Sequence, residues 1–167
     1  IQAKEWIGYE DPNIHHLDFP YPWDIDNPKE FFDTSIKQLL KDKNLDPDKD
    51  LCGFMLETFQ GWGAIFYPKD FISELVSFSK KYNMLITFDE MQAGFGRTGK
   101  LFGYEHYGIE PDILCLGKGA SSGLPLSIVL GSQKIMDLPG IGSMSSTHSA
   151  NPLVCVAGHE NLKVMIE

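Results

Sequence analysis

The chain has 167 residues, 43% apolar and 22% charged, the balance of a globular protein with one real core. Its net charge of −9 excludes the surplus of Lys and Arg that holds a phosphate backbone, so no nucleic-acid partner is expected. No stretch approaches the ~20 apolar residues of a membrane span and no charged-then-apolar leader is visible, which predicts a cytoplasmic protein without membrane contact.

Cys52, Cys115 and Cys155 are odd in number, far apart and set in apolar runs, so they are expected to be buried free thiols of a reducing compartment. The first residue is Ile1 and the last helical pattern runs to Glu167, which predicts a fragment of a longer protein. No linker or repeat divides it, so residues 1–167 are expected to form a single domain.

Residues 1–27 are aromatic, proline-rich and aperiodic, and should lie extended over a core. Asn27-Pro28-Lys29-Glu30 supplies an N-cap, a first-turn proline and an acid, predicting a helix that ends near Lys43-Asn44. Leu51–Phe59 reads as a strand, Pro68–Tyr82 as a helix with Phe71, Ile72, Leu75, Val76 and Phe78 inward, and 84–88 as a second strand. An irregular glycine-rich stretch follows at 94–99, then a short helical stretch near 102–107 and strands at 112–116 and 127–130. A short helix at 133–138 and a final one at 151–167 complete the pattern. Alternating strands and helices predict an α/β fold, a mainly parallel sheet with helices on both faces.

Two strand ends carry polar residues. The run Met84–Phe88 ends in Asp89, and the run Asp112–Leu116 ends in Gly117-Lys118-Gly119. Both runs have the length and apolar content of buried parallel strands, and open α/β sheets bind ligands at such carboxyl ends. A lysine and an aspartate presented together are what pyridoxal phosphate chemistry needs: the amine bonds the cofactor, and the carboxylate keeps the pyridine nitrogen protonated. The small residues after Lys118 leave open space for the amine, and low-dielectric surroundings would favour the nucleophile. Gln92 lies three residues beyond Asp89, within reach of the same ring, and Glu90 adds to the polar cluster. Glu57, at the end of the strand 51–59, is expected to face the same cleft.

Other motifs carry less. Gly94-Phe95-Gly96-Arg97-Thr98-Gly99 formally matches a dinucleotide fingerprint, but Asp89–Ala93 separate it from its strand and no acid follows at ribose spacing. With Lys100 it nearly forms a P-loop, yet Leu101 stands where Ser or Thr must hold magnesium. The glycines are therefore read as serving a turn. His15, His16, His106, His148 and His159 lack ligand spacing, so no metal is expected.

Three blocks in order, Phe88-Asp89-Glu90-Met91-Gln92-Ala93-Gly94-Phe95-Gly96-Arg97-Thr98-Gly99, Pro111-Asp112-Ile113 with Gly117-Lys118-Gly119, and Thr147-His148-Ser149-Ala150-Asn151-Pro152, resemble the class III (omega) aminotransferases. That family has the type I fold of pyridoxal phosphate-dependent transferases. The resemblance spans roughly 13–167. It implies that Lys118 bonds the cofactor, Asp89 pairs with its ring nitrogen and Gln92 lies near its phenolic oxygen. It implies further that Thr147 binds the phosphate held by a neighbouring subunit, hence a homodimer with shared sites. Glu57 matches a glutamate that can pair with a substrate-binding arginine.

The implied reaction is transamination between an amino compound and a keto acid. The alternatives are an aminomutase on the same scaffold and a non-catalytic α/β module. Glu57-Thr58-Phe59-Gln60-Gly61 departs from the family's usual Glu-Pro-x-Gln-Gly, and Trp62 and Ala64 also differ, so the resemblance implies no particular substrate. Family members are well over twice as long. The glycine/serine phosphate cup, the ring-stacking aromatic residue and the small domain with its carboxylate-binding arginine are expected outside this chain.

Overall fold

A computed structural model describes residues 8–167; residues 1–7, including Trp6 of the aromatic opening segment, lie outside it. Residues 8–27 run without helix or strand, as expected from their composition. They are fastened by Phe19, whose ring centroid lies 4.5 Å from that of Tyr67, and by the fully buried Pro20.

Helix α1 (Pro28–Lys43) starts where its cap predicts. Asn27 Oδ1 accepts from Glu30 N–H at 3.2 Å, and Asn44 ends the helix in the left-handed region at φ 52°. Strand β1 (Gly53–Glu57) is shorter than expected. Its continuation breaks away at Thr58 into a small antiparallel hairpin, β2 (Phe59–Gln60) with β3 (Ile65–Phe66). The physical reason lies in Gly61-Trp62-Gly63-Ala64, which turns the chain back, with Ala64 at φ 52°.

Helix α2 (Lys69–Lys81) packs on α1 and buries Phe71, Ile72 and Leu75, with Val76 and Phe78 half-buried against the same core. Strand β4 (Leu85–Asp89) follows, and then a run of turns and a 3-10 turn at Gly103–His106. Strand β5 (Ile113–Leu116) leads to a second 3-10 turn, Lys118–Ala120. Strand β6 (Ile128–Gly131), the short helix α3 (Gln133–Met136) and helix α4 (Pro152–Ile166) complete the order.

The main sheet runs β1-β4-β5-β6, with β1, β4 and β5 parallel and β6 antiparallel. The reversal at β6 follows from its connection, which holds only a 3-10 turn where a parallel return needs a crossover of a dozen or more residues, usually helical. Alternation sorts the strands into two faces. Phe54, Leu56, Ile86, Phe88 and Leu114 join Phe32, Ile36, Phe71, Ile72 and Leu75 in the core under α1 and α2. Within it Phe32 meets Phe71 edge-on, with centroids 5.3 Å apart.

The other face carries the rows Met55-Thr87-Ile113 and Glu57-Asp89-Cys115-Val129. Met55 and Val129 are exposed there, and α4 packs on the 118–120 turn. The mainly parallel α/β class is as expected. On this face Met136 of α3 lies against Gly131, the β6 partner of Ile113, while Met55 at the opposite edge stays exposed.

The three cysteines are free, but Cys52 and Cys155 are exposed and Cys115 only half-buried, which corrects the expectation of burial. Cys52 directly precedes the edge strand β1, and Cys155 lies on α4, whose neighbours Leu153 and Val156 are also exposed. No helix among the described residues is long and apolar enough to cross a membrane.

Candidate active site

Strand register places the acids. Glu57 pairs with Asp89 and Asp89 with Cys115, so three side chains form one row at the carboxyl ends of β1, β4 and β5. Asp89 Oδ1 accepts from Met91 N–H at 2.9 Å, while its other oxygen has no hydrogen-bond partner among the described residues. Asp112 locks the two central strands: its N–H donates to Ile86 O and its Oδ2 accepts from Ile86 N–H. Glu57 Oε2 accepts from Gly61 N–H at 2.9 Å and so holds the hairpin turn. Gln92 lies against that turn, since a Cβ on Gly61 would stand 3.1 Å from Gln92 Cγ. Glu57, Gly61, Gln92 and Asp89 thus form one patch.

Lys118 begins the 3-10 turn beyond β5, three residues past the strand partner of Asp89. Its backbone is left-handed at φ 44°, a region that non-glycine residues seldom occupy. The flanking glycines serve close approach. A side chain on Gly117 would collide with Met91 Sδ, and one on Gly119 would stand 3.0 Å from Phe95 Cβ. The segment that starts at Asp89 therefore lies directly on the lysine turn, and Met91 touches both. The amine has no ion-pair or hydrogen-bond partner among the described residues, and Lys118 is exposed. The low-dielectric surroundings expected for it are not supplied by these residues, because the glycines admit packing beneath the backbone, not around the side chain.

Glu90 belongs elsewhere. The strand's alternation turns it from Asp89 into the interior, where it is fully buried. Its Oε2 and Oε1 accept from Gly103 N–H and Tyr104 N–H, each at 2.8 Å. Burial pushes its carboxyl above the usual range, and these backbone donors pull the other way. Its place beside Asp89 and Gln92 in the sequence suggests the cleft, but the structure puts it in the interior. The signal for this is the one-residue step from Asp89, which reverses the face.

The glycine-rich stretch is a turn, with Gly96 and Gly99 both at φ 86° and His106 Nε2 within 3.0 Å of Thr98 Oγ1. It opens no α-helix, so neither nucleotide motif has its required setting. Burial, then the negative charge of Asp89, raises the Cys115 thiol, leaving it a poor nucleophile. Thr147 is exposed in the turn at 147–150, four residues before the Asn151 cap of α4. It shares no hydrogen bond with Asp89, Gln92 or Lys118 among the described residues, so this chain does not gather it into their site.

An unpaired carboxylate oxygen, an adjacent amide and an unpaired amine, held at the ends of neighbouring parallel strands, suit a ligand with a ring nitrogen and a carbonyl. The chain belongs to the class III aminotransferases: the model of that family matches residues 2–167. It is 42% identical over 158 residues to an acetylornithine/succinyldiaminopimelate aminotransferase of Buchnera aphidicola, covering 92% of this chain and 34% of that protein. An alanine/serine racemase of Pyrococcus horikoshii is 32% identical over 179 aligned positions, covering 100% of this chain and 38% of the other. Among solved structures, an (S)-enantioselective omega-transaminase of Thermomicrobium roseum superposes with a TM-score of 0.83 at 26% identity, covering 99% of this chain and 39% of that one.

The chain thus spans less than two fifths of the length of each. Its fold is that of pyridoxal phosphate-dependent transaminases. Pyridoxal phosphate is the family's cofactor, and the donors at the strand ends fit it.

Proposed function

We propose that this chain is the central part of the cofactor-binding large domain of a longer aminotransferase, which moves an amino group between an amino compound and a keto acid. The observation that carries the reading is the placement of Asp89 and Lys118 at the ends of adjacent parallel strands, each with a polar atom left unpaired. Pyridoxal phosphate, when bound, supplies a conjugated ring that accepts the electron pair left when a substrate carbon loses its proton.

The residues divide the remaining work. Lys118 Nζ would hold the cofactor at its carbonyl carbon, with loss of water, and as a free amine would act as the base that carries the proton of the substrate carbon. Asp89 would accept the pyridine N–H on its free oxygen and keep that proton in place, an electrostatic role. Met91 N–H holds the other oxygen and so orients the carboxylate. Gln92 would offer its amide to the phenolic oxygen. Glu57 stands at the substrate side, where it would pair with an arginine supplied from outside this chain.

Thr147 would bind the phosphate of a partner subunit. Its exposure, together with the exposed apolar Leu138, Ile141 and Met144 just before it, supports a homodimer with shared sites. Three free thiols support a reducing, cytoplasmic setting. Racemisation is a second reading, favoured by the relative named for it and calling on the same proton transfer at Lys118.

Asp89→Ala in the full-length enzyme should retain its far-UV circular dichroism yet lose transamination by several powers of ten, each power being ~1.4 kcal/mol of transition-state stabilisation. Activity within a few-fold of the parent would show that another acid holds the nitrogen.

A further inference from the structure

The turn that carries Lys118 is gripped by one side chain from α4. Gly158 lets that helix come close: a Cβ there would collide with Leu126 Cδ2 and stand 3.5 Å from Ala120 O. One turn on, Asn161 Nδ2 donates to Gly119 O at 2.7 Å and to Ala120 O at 3.1 Å. Its Oδ1 accepts from Ser122 Oγ at 2.5 Å. The partners fix which way the amide faces, because the reverse would set its oxygen against two carbonyl oxygens.

The turn needs such a hold. Lys118 and Ser122 both have left-handed backbones, at φ 44° and φ 54°, and non-glycine residues keep that conformation only where their surroundings enforce it. The bonds to Gly119, Ala120 and Ser122 bracket most of the stretch between those two residues.

We propose that Asn161 is a positioning residue for Lys118, fixing the turn so that the amine leaves the sheet end in one direction. This rests on the reading of Lys118 as the cofactor-bonding lysine. Among the described residues, the remaining hydrogen bonds of the turn, Ala120 N–H to Gly117 O and Ser121 Oγ to Leu124 O, are internal to the loop and do not tie it to another element.

The test compares the full-length parent with Asn161→Ala and Asn161→Asp by amide hydrogen exchange, and by the rate at which borohydride traps added pyridoxal phosphate on Lys118. Both variants should speed exchange at the Ala120 amide about tenfold or more, with the Ile86–Phe88 amides unchanged, and should slow labelling of Lys118. The Asp variant should be the more affected, since its carboxylate faces two carbonyl oxygens. Unchanged exchange at Ala120 would overturn the proposal, and so would a rise shared equally by the core amides, which marks a purely structural residue. If the Asn161 variants fail to fold, Ser122→Ala removes only the bond that orients the amide. A smaller rise at Ala120 is then expected, and none would contradict the grip. Label on another lysine in the parent would overturn the role of Lys118 and with it this positioning role, while the exchange data still report separately on the grip.

Discussion

Asp89 and Glu90 are consecutive carboxylates with opposite surroundings, and that contrast sets their uses. Asp89 keeps one oxygen open at the strand end, whereas Glu90 spends both on the backbone of the 103–106 turn. Glu90→Gln keeps the shape and removes a buried charge, yet it must point an N–H at a backbone N–H. The variant should therefore be less stable by about 1–3 kcal/mol, read by urea unfolding. The pH dependence has a definite sign. A carboxyl raised by folding contributes stability that is fully present below its unfolded pKa, about 4.3, and is lost as pH rises through the higher folded value. The gap between parent and Glu90→Gln should hence be widest in acid and shrink to a plateau toward neutral pH. A gap that widens with rising pH would mean that the backbone donors outweigh burial.

At the scale of elements, the candidate site is a contact between two turns. Met91 and Phe95, from the turns after β4, fill the space that Gly117 and Gly119 leave beside Lys118. Gly117→Ala should displace Met91 and lower the rate of cofactor capture by Lys118, and Met91→Ala in that background should recover much of the loss, because the clash lies at the end of a flexible side chain. Capture rates in the single and double variants check this, and no recovery would place the collision in the backbone.

Much of this scale was legible in the sequence. Asn27-Pro28 set the start of α1, the apolar runs marked β4 and β5, and the polar residues at their ends marked the candidate site. The β2–β3 hairpin was not legible, because each strand has two residues and periodicity needs more. Nor was the grip of Asn161, since nothing local links an amide on a late helix to carbonyls 42 and 41 residues earlier. The exposure of Cys52 and Cys155 was missed for a related reason. Apolar neighbours in sequence do not reveal which face an edge strand or a terminal helix buries.

At the scale of the molecule, the described residues complete one face of the sheet and one part of a site. The row Met55-Thr87-Ile113 stands partly bare, and Thr147 projects from an exposed turn. If Thr147 acts on a partner's phosphate, mixing full-length Lys118→Ala and Thr147→Ala chains should give hybrid dimers with one intact site and measurable activity. Hybrids no more active than the separate variants would assign Thr147 to its own loop. Whether Lys118 is the amine that bonds the cofactor is read by borohydride reduction of the full-length protein with pyridoxal phosphate followed by peptide mapping. The label is expected on Lys118; label on Lys100 or Lys134 in its place would show that another lysine bonds the cofactor.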